Sequence, residues 1–270
     1  MTQDIRSIRG IYFSPTGSTE QVVRRTVEQL GQRWALPIRL TPYTLPYQRQ
    51  TWEPLRSDEL TVWGTPVYAG RIPNKTLDFV KGAIGAESGR LVAIAVYGGR
   101  SYDNALAEMS GIARQGGLHT IAAAAVVARH TFSPTLNAGR PDKADLREID
   151  AWCHSIDPDS EVTVPGEPVP QSYYTPLKED LTPAKFLKAK PIVNEERCQG
   201  CGQCVTVCPM GSRTMEDGRP VTTGICIKCQ ACIRKCPNRA IEICDEDFAS
   251  HVAMLEEHYG TMQRKNEFWG

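Results

Sequence analysis

Cys198-Gln-Gly-Cys201-Gly-Gln-Cys204-Val-Thr-Val-Cys208-Pro209 and Cys226-Ile-Lys-Cys229-Gln-Ala-Cys232-Ile-Arg-Lys-Cys236-Pro237 decide how the last part of this chain folds. Each run has the C-x2-C-x2-C-x3-C-P spacing of cubane iron–sulfur sites. Three thiolates on one tight loop face three irons of a cube. The fourth sulfur comes from elsewhere, and where two runs occur it comes from the other run. That rule assigns Cys198, Cys201, Cys204 and Cys236 to one 4Fe–4S cluster, and Cys226, Cys229, Cys232 and Cys208 to a second. Zinc sites instead use paired C-x2-C units separated by a longer stretch. Disulfides need an oxidising compartment, and residues 1–10 lack a signal-peptide pattern, so a cytoplasmic location is expected. The two other cysteines read as packing residues: Cys153 shares a helical stripe with Leu146, Ile149 and Ile156, and Cys244 follows a strand-like segment.

Working outward, 270 residues leave room for one ordinary domain and a small one. The longest apolar run, 121–128, is too short to span a bilayer. Formal charge balances at 31 basic and 31 acidic side chains, so the basic excess of a nucleic-acid binder is absent. The halves differ, however: residues 1–155 carry 18 basic and 14 acidic groups and the remainder 13 and 17. Opposite signs favour docking of one module on the other, although ordinary surface variation would give the same figures.

Residues 1–155 alternate strand-like and helix-like patterns. Apolar runs fall at 8–13, 60–63, 91–97 and 121–128, with a weaker one at 38–40. Val23, Val27 and Leu30 mark a helix that Gly31 would stop; Leu77, Val80 and Ile84 mark another that Pro73 would open. Helical stretches at 101–116 and 141–156 complete the alternation, which argues for a doubly wound parallel sheet of five strands.

Three loops say what that sheet holds. Ser14-Pro15-Thr16-Gly17-Ser18-Thr19 follows the first strand and enters a helix, so hydroxyls and free N–H groups gather at a helix N-terminus, a cradle for a terminal monophosphate. The glycines and lysine of the dinucleotide and P-loop motifs are missing. Thr65-Pro66-Val67-Tyr68-Ala69-Gly70-Arg71 follows the third strand, and Tyr97-Gly98-Gly99-Arg100-Ser101-Tyr102-Asp103 the fourth. In open α/β sheets such loops converge on the crevice at the topological switch point. Tyr68 and Tyr102 offer aromatic faces to a flat ring, and Arg71 and Arg100 offer charge to the polar groups of a bound ligand or to an anionic substrate.

At these residues the module resembles a flavodoxin, whose first loop reads Thr/Ser-x-Thr-Gly-Ser/Asn-Thr; Ser14, Thr16, Gly17, Ser18 and Thr19 match it. The resemblance implies FMN, its phosphate on that loop and its isoalloxazine between the segments 65–71 and 97–103. Unlike stand-alone flavodoxins, this module is not strongly acidic, so their mode of docking is not carried over. Nearly the whole chain is similar to the flavodoxin–ferredoxin fusion proteins of anaerobes, including Gly139-Arg140-Pro141-Asp142 and the aromatic tail. The expected layout is a flavodoxin-like domain over 1–157, a proline-rich strap over 158–190, a bacterial-type two-cluster ferredoxin module over 191–246, and a helix with an aromatic tail over 247–270. Pro158, Pro165, Pro168, Pro170, Pro176 and Pro183, with Pro191 just beyond its end, stiffen the strap, and Tyr173, Tyr174, Leu177, Phe186 and Leu187 give it something to bury. The tail helix would use Phe248, Val252, Leu255 and Tyr259, with Phe268-Trp269 docking on the flavodoxin-like module or on a partner. Lys228, Arg234 and Lys235 sit beside ligands of the second run, whereas no charge lies between Cys198 and Cys208, so the two clusters are expected to differ in potential.

The expected function is electron transfer between FMN and two 4Fe–4S clusters, with redox proteins as donor and acceptor and a homodimer as an open possibility. The alternative is an FMN-dependent reductase that takes hydride from NAD(P)H or reduces a small acceptor, using the clusters as a relay.

Overall fold

The computed structural model describes residues 4–166 and 172–270; Pro168 and Pro170 of the strap lie outside them. The first half runs β1 (Ser7–Tyr12), α1 (Ser18–Trp34), β2 (Ile38–Pro42), α2 (Pro46–Gln50), β3 (Glu59–Pro66), α3 (Leu77–Ala83), β4 (Gly89–Tyr97), α4 (Ala105–Gln115), β5 (Leu118–Val127) and α5 (Lys143–Ser155). The five strands lie in the order β2-β1-β3-β4-β5, all parallel. This is the flavodoxin-like order, in which the chain reverses direction across the sheet beside β1. Strands β3, β4 and β5 are buried on both faces, as a sheet covered by helices requires. One face packs Ile11, Trp63, Ala93 and Ala123 against α3 and α4; the other packs Ile8, Val62, Ile94 and Ala124 against α1 and α5.

Two local expectations change. Helix α1 does not stop at Gly31 but runs on to Trp34 and ends at Ala35 with φ 52°. Gly31 serves close approach instead, because a Cβ there would lie 2.4 Å from Cγ2 of Ile38 on β2. The sheet also gains a sixth strand: β10 (Glu267–Trp269), the end of the chain, pairs antiparallel with β5 and places Phe268 and Trp269 on opposite faces. Alternation of side chains along a strand puts one ring into each core.

The Gly139–Asp142 segment explains how the tail is held. Asp142 caps α5, accepting from the N–H groups of Ala144 (2.6 Å) and Asp145 (3.1 Å). Arg140 pairs with Asp145 and donates to the carbonyl of Arg264 at 2.6 Å. Asn266 donates to Asp145 (2.8 Å) and Glu148 (2.6 Å) and accepts from the N–H of Val127 at 2.9 Å.

The second half is built from short pieces: β6 (Ile192–Val193), α6 (Gln203–Thr206), β7 (Arg213–Glu216), β8 (Arg219–Thr222), α7 (Ala231–Arg234) and β9 (Ile241–Glu242), then α8 (Glu246–Tyr259). Strands β6 and β9 pair, as do β7 and β8. Helix α8 buries Phe248, His251, Met254 and Leu255, so its inward stripe is turned slightly from the one expected. Cys153 is a buried core thiol, pushed up to about 12 by burial. Cys244 is exposed rather than packed, because β9 ends at Glu242 before the chain enters α8. Among the described residues no helix is long and apolar enough to cross a membrane.

Candidate functional site

The turn after β1 carries its hydroxyls and N–H groups as the motif requires. Gly17 takes φ 100° at the N-terminus of α1, where no side chain caps the helix. Oγ of Ser14 accepts from the N–H of Glu20 at 3.0 Å, and the N–H of Ser14 donates to Oγ1 of Thr44 at 2.8 Å. Among the described residues, nothing accepts from the N–H groups of Thr16, Gly17, Ser18 or Thr19. Four free donors at a helix N-terminus, with three hydroxyls beside them, form a nest for an anion.

A cavity of about 410 Å³ opens from this nest along the carboxyl ends of β3 and β4. Of the residues expected there, Ser14, Thr16, Ser18, Thr19, Pro66, Val67, Tyr68, Ala69, Tyr97 and Gly98 line it. Six do not. Gly17, Thr65, Gly70 and Gly99 shape the backbone behind the wall. Tyr102 turns away, edge-on to Tyr97 and Trp269, with its hydroxyl donating to Glu267 at 2.8 Å. Asp103 pairs with Arg100. Arg71 is spoken for as well: it pairs with Glu108 and lies 4.6 Å from the ring of Tyr173, whereas Arg100 lines the cavity under Tyr174 at 3.9 Å.

The rest of the wall comes from segments far along the chain. The strap supplies Tyr173, Tyr174 and Pro176, and Phe186 and Leu187 join them. The N–H of Tyr174 donates to Ala69 at 2.9 Å and the Tyr173 hydroxyl to Ile72 at 2.9 Å, which fixes the strap across the loop after β3. Helix α8 adds His251 and Leu255, and the second cysteine loop adds Ile227 and Lys228. His130 and Phe132, after β5, complete it. The N–H of Phe132 donates to Nδ1 of His130 at 3.2 Å, which leaves the imidazole proton on Nε2. Burial, then the neighbouring His251, Arg234 and Arg100, push His130 down to about 4. Nothing in the local pattern marks 128–132 as site residues; only their place after β5, at the same end of the sheet, would have suggested them.

The eight clustered cysteines ring two further cavities. One is lined by Cys198, Cys201, Cys204 and Cys236, the other by Cys208, Cys226, Cys229 and Cys232. Each therefore takes three thiols from one run and the last thiol of the other, which suits a cube held at four corners. Among the described residues, no three His, Cys, Asp or Glu side chains converge as one metal ion would need. Burial pushes the Cys229 thiol well up and that of Cys232 to about 11, with neighbouring thiols adding to both. Four thiolates in such a place need a cationic core, so ligand deprotonation and cluster binding go together. The halves meet through Arg234, which donates to the carbonyls of His130 and Thr131 at 2.7 Å each, and Arg49, which donates to Pro209 at 2.7 Å.

Comparison with known proteins agrees with the second half. Models of a 4Fe–4S binding domain match residues 191–214 and 223–239. Two uncharacterised ferredoxins of Methanocaldococcus jannaschii are each 39% identical over 57 residues; the match takes in 20% of this chain and 32% of one relative, and 19% of this chain and 74% of the other. For the first half, solved structures include a Streptococcus pneumoniae flavodoxin (14% identity, TM-score 0.38, 54% of this chain and 94% of that one). Rubredoxin:oxygen oxidoreductase from Desulfovibrio gigas is similar over 57% of this chain and 36% of its own, at 15% identity and a TM-score of 0.41. The strand order, rather than these likenesses, carries the assignment of the first half.

Proposed function

We propose a function from the premise that this chain belongs to the 4Fe–4S ferredoxins, fused behind a flavodoxin-like module: it transfers electrons between FMN in the 410 Å³ cavity and two 4Fe–4S clusters in the cysteine-lined ones. The observation that supports it most is the arrangement of the three cavities. A nest of free N–H groups opens the first, and four crossed thiols surround each of the others. When bound, the clusters exchange single electrons and the flavin exchanges one or two.

The chain's own residues do the rest. Thr16, Gly17, Ser18 and Thr19 hold the phosphate; Pro66, Val67, Tyr68, Ala69, Tyr97 and Gly98 border the ring. Tyr173, Tyr174 and α8 cover the cavity and exclude water. Cys208, Cys226, Cys229 and Cys232 hold one cluster, and Cys198, Cys201, Cys204 and Cys236 the other. Donor and acceptor are redox proteins, and a second copy of the chain is not needed to bring a cluster to the flavin. The same cover weighs against direct hydride delivery from a nicotinamide.

The test is anaerobic purification followed by analysis of what is bound. One FMN and eight irons with eight sulfides per chain are expected. Rapid reduction by a low-potential ferredoxin, with no bleaching by NADH or NADPH, is the expected behaviour. Bleaching by a nicotinamide would make the protein a reductase, and absence of FMN would remove the reading altogether.

A further inference from the structure

Ile227 and Lys228 line both the large cavity and the one ringed by Cys208, Cys226, Cys229 and Cys232. Among the described residues, none is common to the large cavity and the one ringed by Cys198, Cys201, Cys204 and Cys236. One cluster site therefore shares a wall with the flavin site, and the wall contains a charge. Lys228 is 8% exposed, and its ammonium donates to the carbonyls of Leu187 and of Cys226, the latter at 3.4 Å. Tyr68 lines the large cavity as well.

The internal repeat sharpens the point. Cys198-Gln-Gly-Cys201 and Cys226-Ile-Lys-Cys229 align, so Gly200 occupies in the first loop the place Lys228 occupies in the second. Both have positive φ, 69° for Gly200 and 52° for Lys228. Glycine takes that conformation freely, whereas a lysine is strained there. The second loop thus carries a costlier residue at the position that faces the flavin cavity.

We propose that Lys228 is the electrostatic joint between the two cofactors: its buried ammonium stabilises added negative charge on both sides of the wall, making the Cys208/Cys226/Cys229/Cys232 cluster the flavin's direct exchange partner and the more easily reduced of the two. In each exchange one electron leaves the flavin as the adjacent cluster gains it, or the reverse. Lys228 acts as a positioning residue. The inference rests on the FMN and two-cluster reading above.

Anaerobic spectroelectrochemistry of the full-length holoprotein tests it, on wild type, Lys228→Met, Lys228→Gly and Lys228→Arg, with FMN and iron counted in each. Wild type should show two unequal clusters. Without the ammonium, the reduced-to-oxidised ratio of the more easily reduced cluster at fixed poise should fall roughly tenfold, the size of one charge at about 10 Å in a protein medium. The flavin should become harder to reduce as well, the gap between clusters should narrow, and Lys228→Arg should retain wild-type values. Lys228→Gly keeps the loop geometry of the first run, so it reports the same shift if the Met variant loses iron. Equal cluster potentials in wild type, or a gap and a flavin potential unmoved by removing the charge, would overturn the proposal. Missing FMN or four irons instead of eight would overturn the underlying reading first.

Discussion

The two halves of the molecule reach their folds by different means. The sheet half has two extensive apolar cores, one on each face, in which Trp63, Ile94, Val126 and Ala124 are fully buried. The corresponding cluster in the second half consists of Cys204, Cys232 and Ile241, with Val193, Val205, Ile233 and Cys236 around them. Three of those seven residues are expected cluster ligands. A unit this small, with strands of two to four residues, buries too little apolar surface to offset the entropy of ordering its chain. The first half folds around hydrocarbon, whereas the second folds around the sulfurs that bind iron.

The largest expected effect follows from that difference. Removing iron by chelation should abolish hydrogen-exchange protection across 192–244, while peptides from β1, β3, β4 and β5 stay protected. Equal protection in both halves of the iron-free protein would end the comparison. In the opposite direction, Trp63→Ala should destabilise the sheet half by about 3–5 kcal/mol, because it empties a fully buried site and leaves the Tyr43 hydroxyl, 2.9 Å from Nε1, without its donor. Urea unfolding followed by circular dichroism reads that loss, and the cluster absorbance should stay unchanged before the transition.

The junction between the halves should respond to acid. His130 is held neutral by burial, facing His251, Arg234, Arg100 and, further off, Glu256. Its folded value of about 4 lies below the usual 6.5, so the unfolded chain binds the extra proton first. Its contribution is therefore present above pH 6.5 and lost as the pH falls from 6.5 to 4, by at most about 3 kcal/mol. Chemical denaturation of wild type and His130→Gln across that window checks it, the variant showing the flatter acid limb.

How much of this could be read beforehand follows the same division. The cysteine spacing is a local code, and each of the two cysteine-lined cavities is bordered by three thiols of one run and the last thiol of the other. The loop after β1 is local as well, since hydroxyls and a glycine at a helix start carry their own geometry. The roof over the cavity is not local. Tyr173, His130, Lys228 and His251 come from the strap, the loop after β5, a cysteine loop and α8, and only tertiary packing assembles them. Tyr102 lies outside the cavity for a related reason. The end of the chain adds β10 to the sheet and offers Glu267 and Trp269 as partners, an event 165 residues further along the chain. Phe268-Trp269 signalled burial, but nothing in two aromatic residues specifies an edge strand.

The smallest effect probes how each half grips its ligand. On the proposed reading, the cluster half would use side-chain thiols, so any ligand cysteine should be indispensable; the nest after β1 would use backbone N–H groups, so a change there should act by degrees. Gly17 is the place to test it, with φ 100° and open space around the position a Cβ would take, nothing lying within 4 Å. Gly17→Ala therefore introduces no clash, and its cost is backbone strain of about 1–2 kcal/mol. The loop can escape that strain by rotating its N–H groups away from the anion, which spares the sheet but weakens the nest. FMN affinity should fall about tenfold, while the affinity of riboflavin, which has no phosphate, should not change. Fluorescence titration of the two flavins measures the difference directly. A tenfold loss for FMN alone places the phosphate on the 16–19 turn. Equal losses for both flavins would mean that Gly17 shapes the cavity as a whole, and that the first half holds its ligand less locally than the free N–H groups imply.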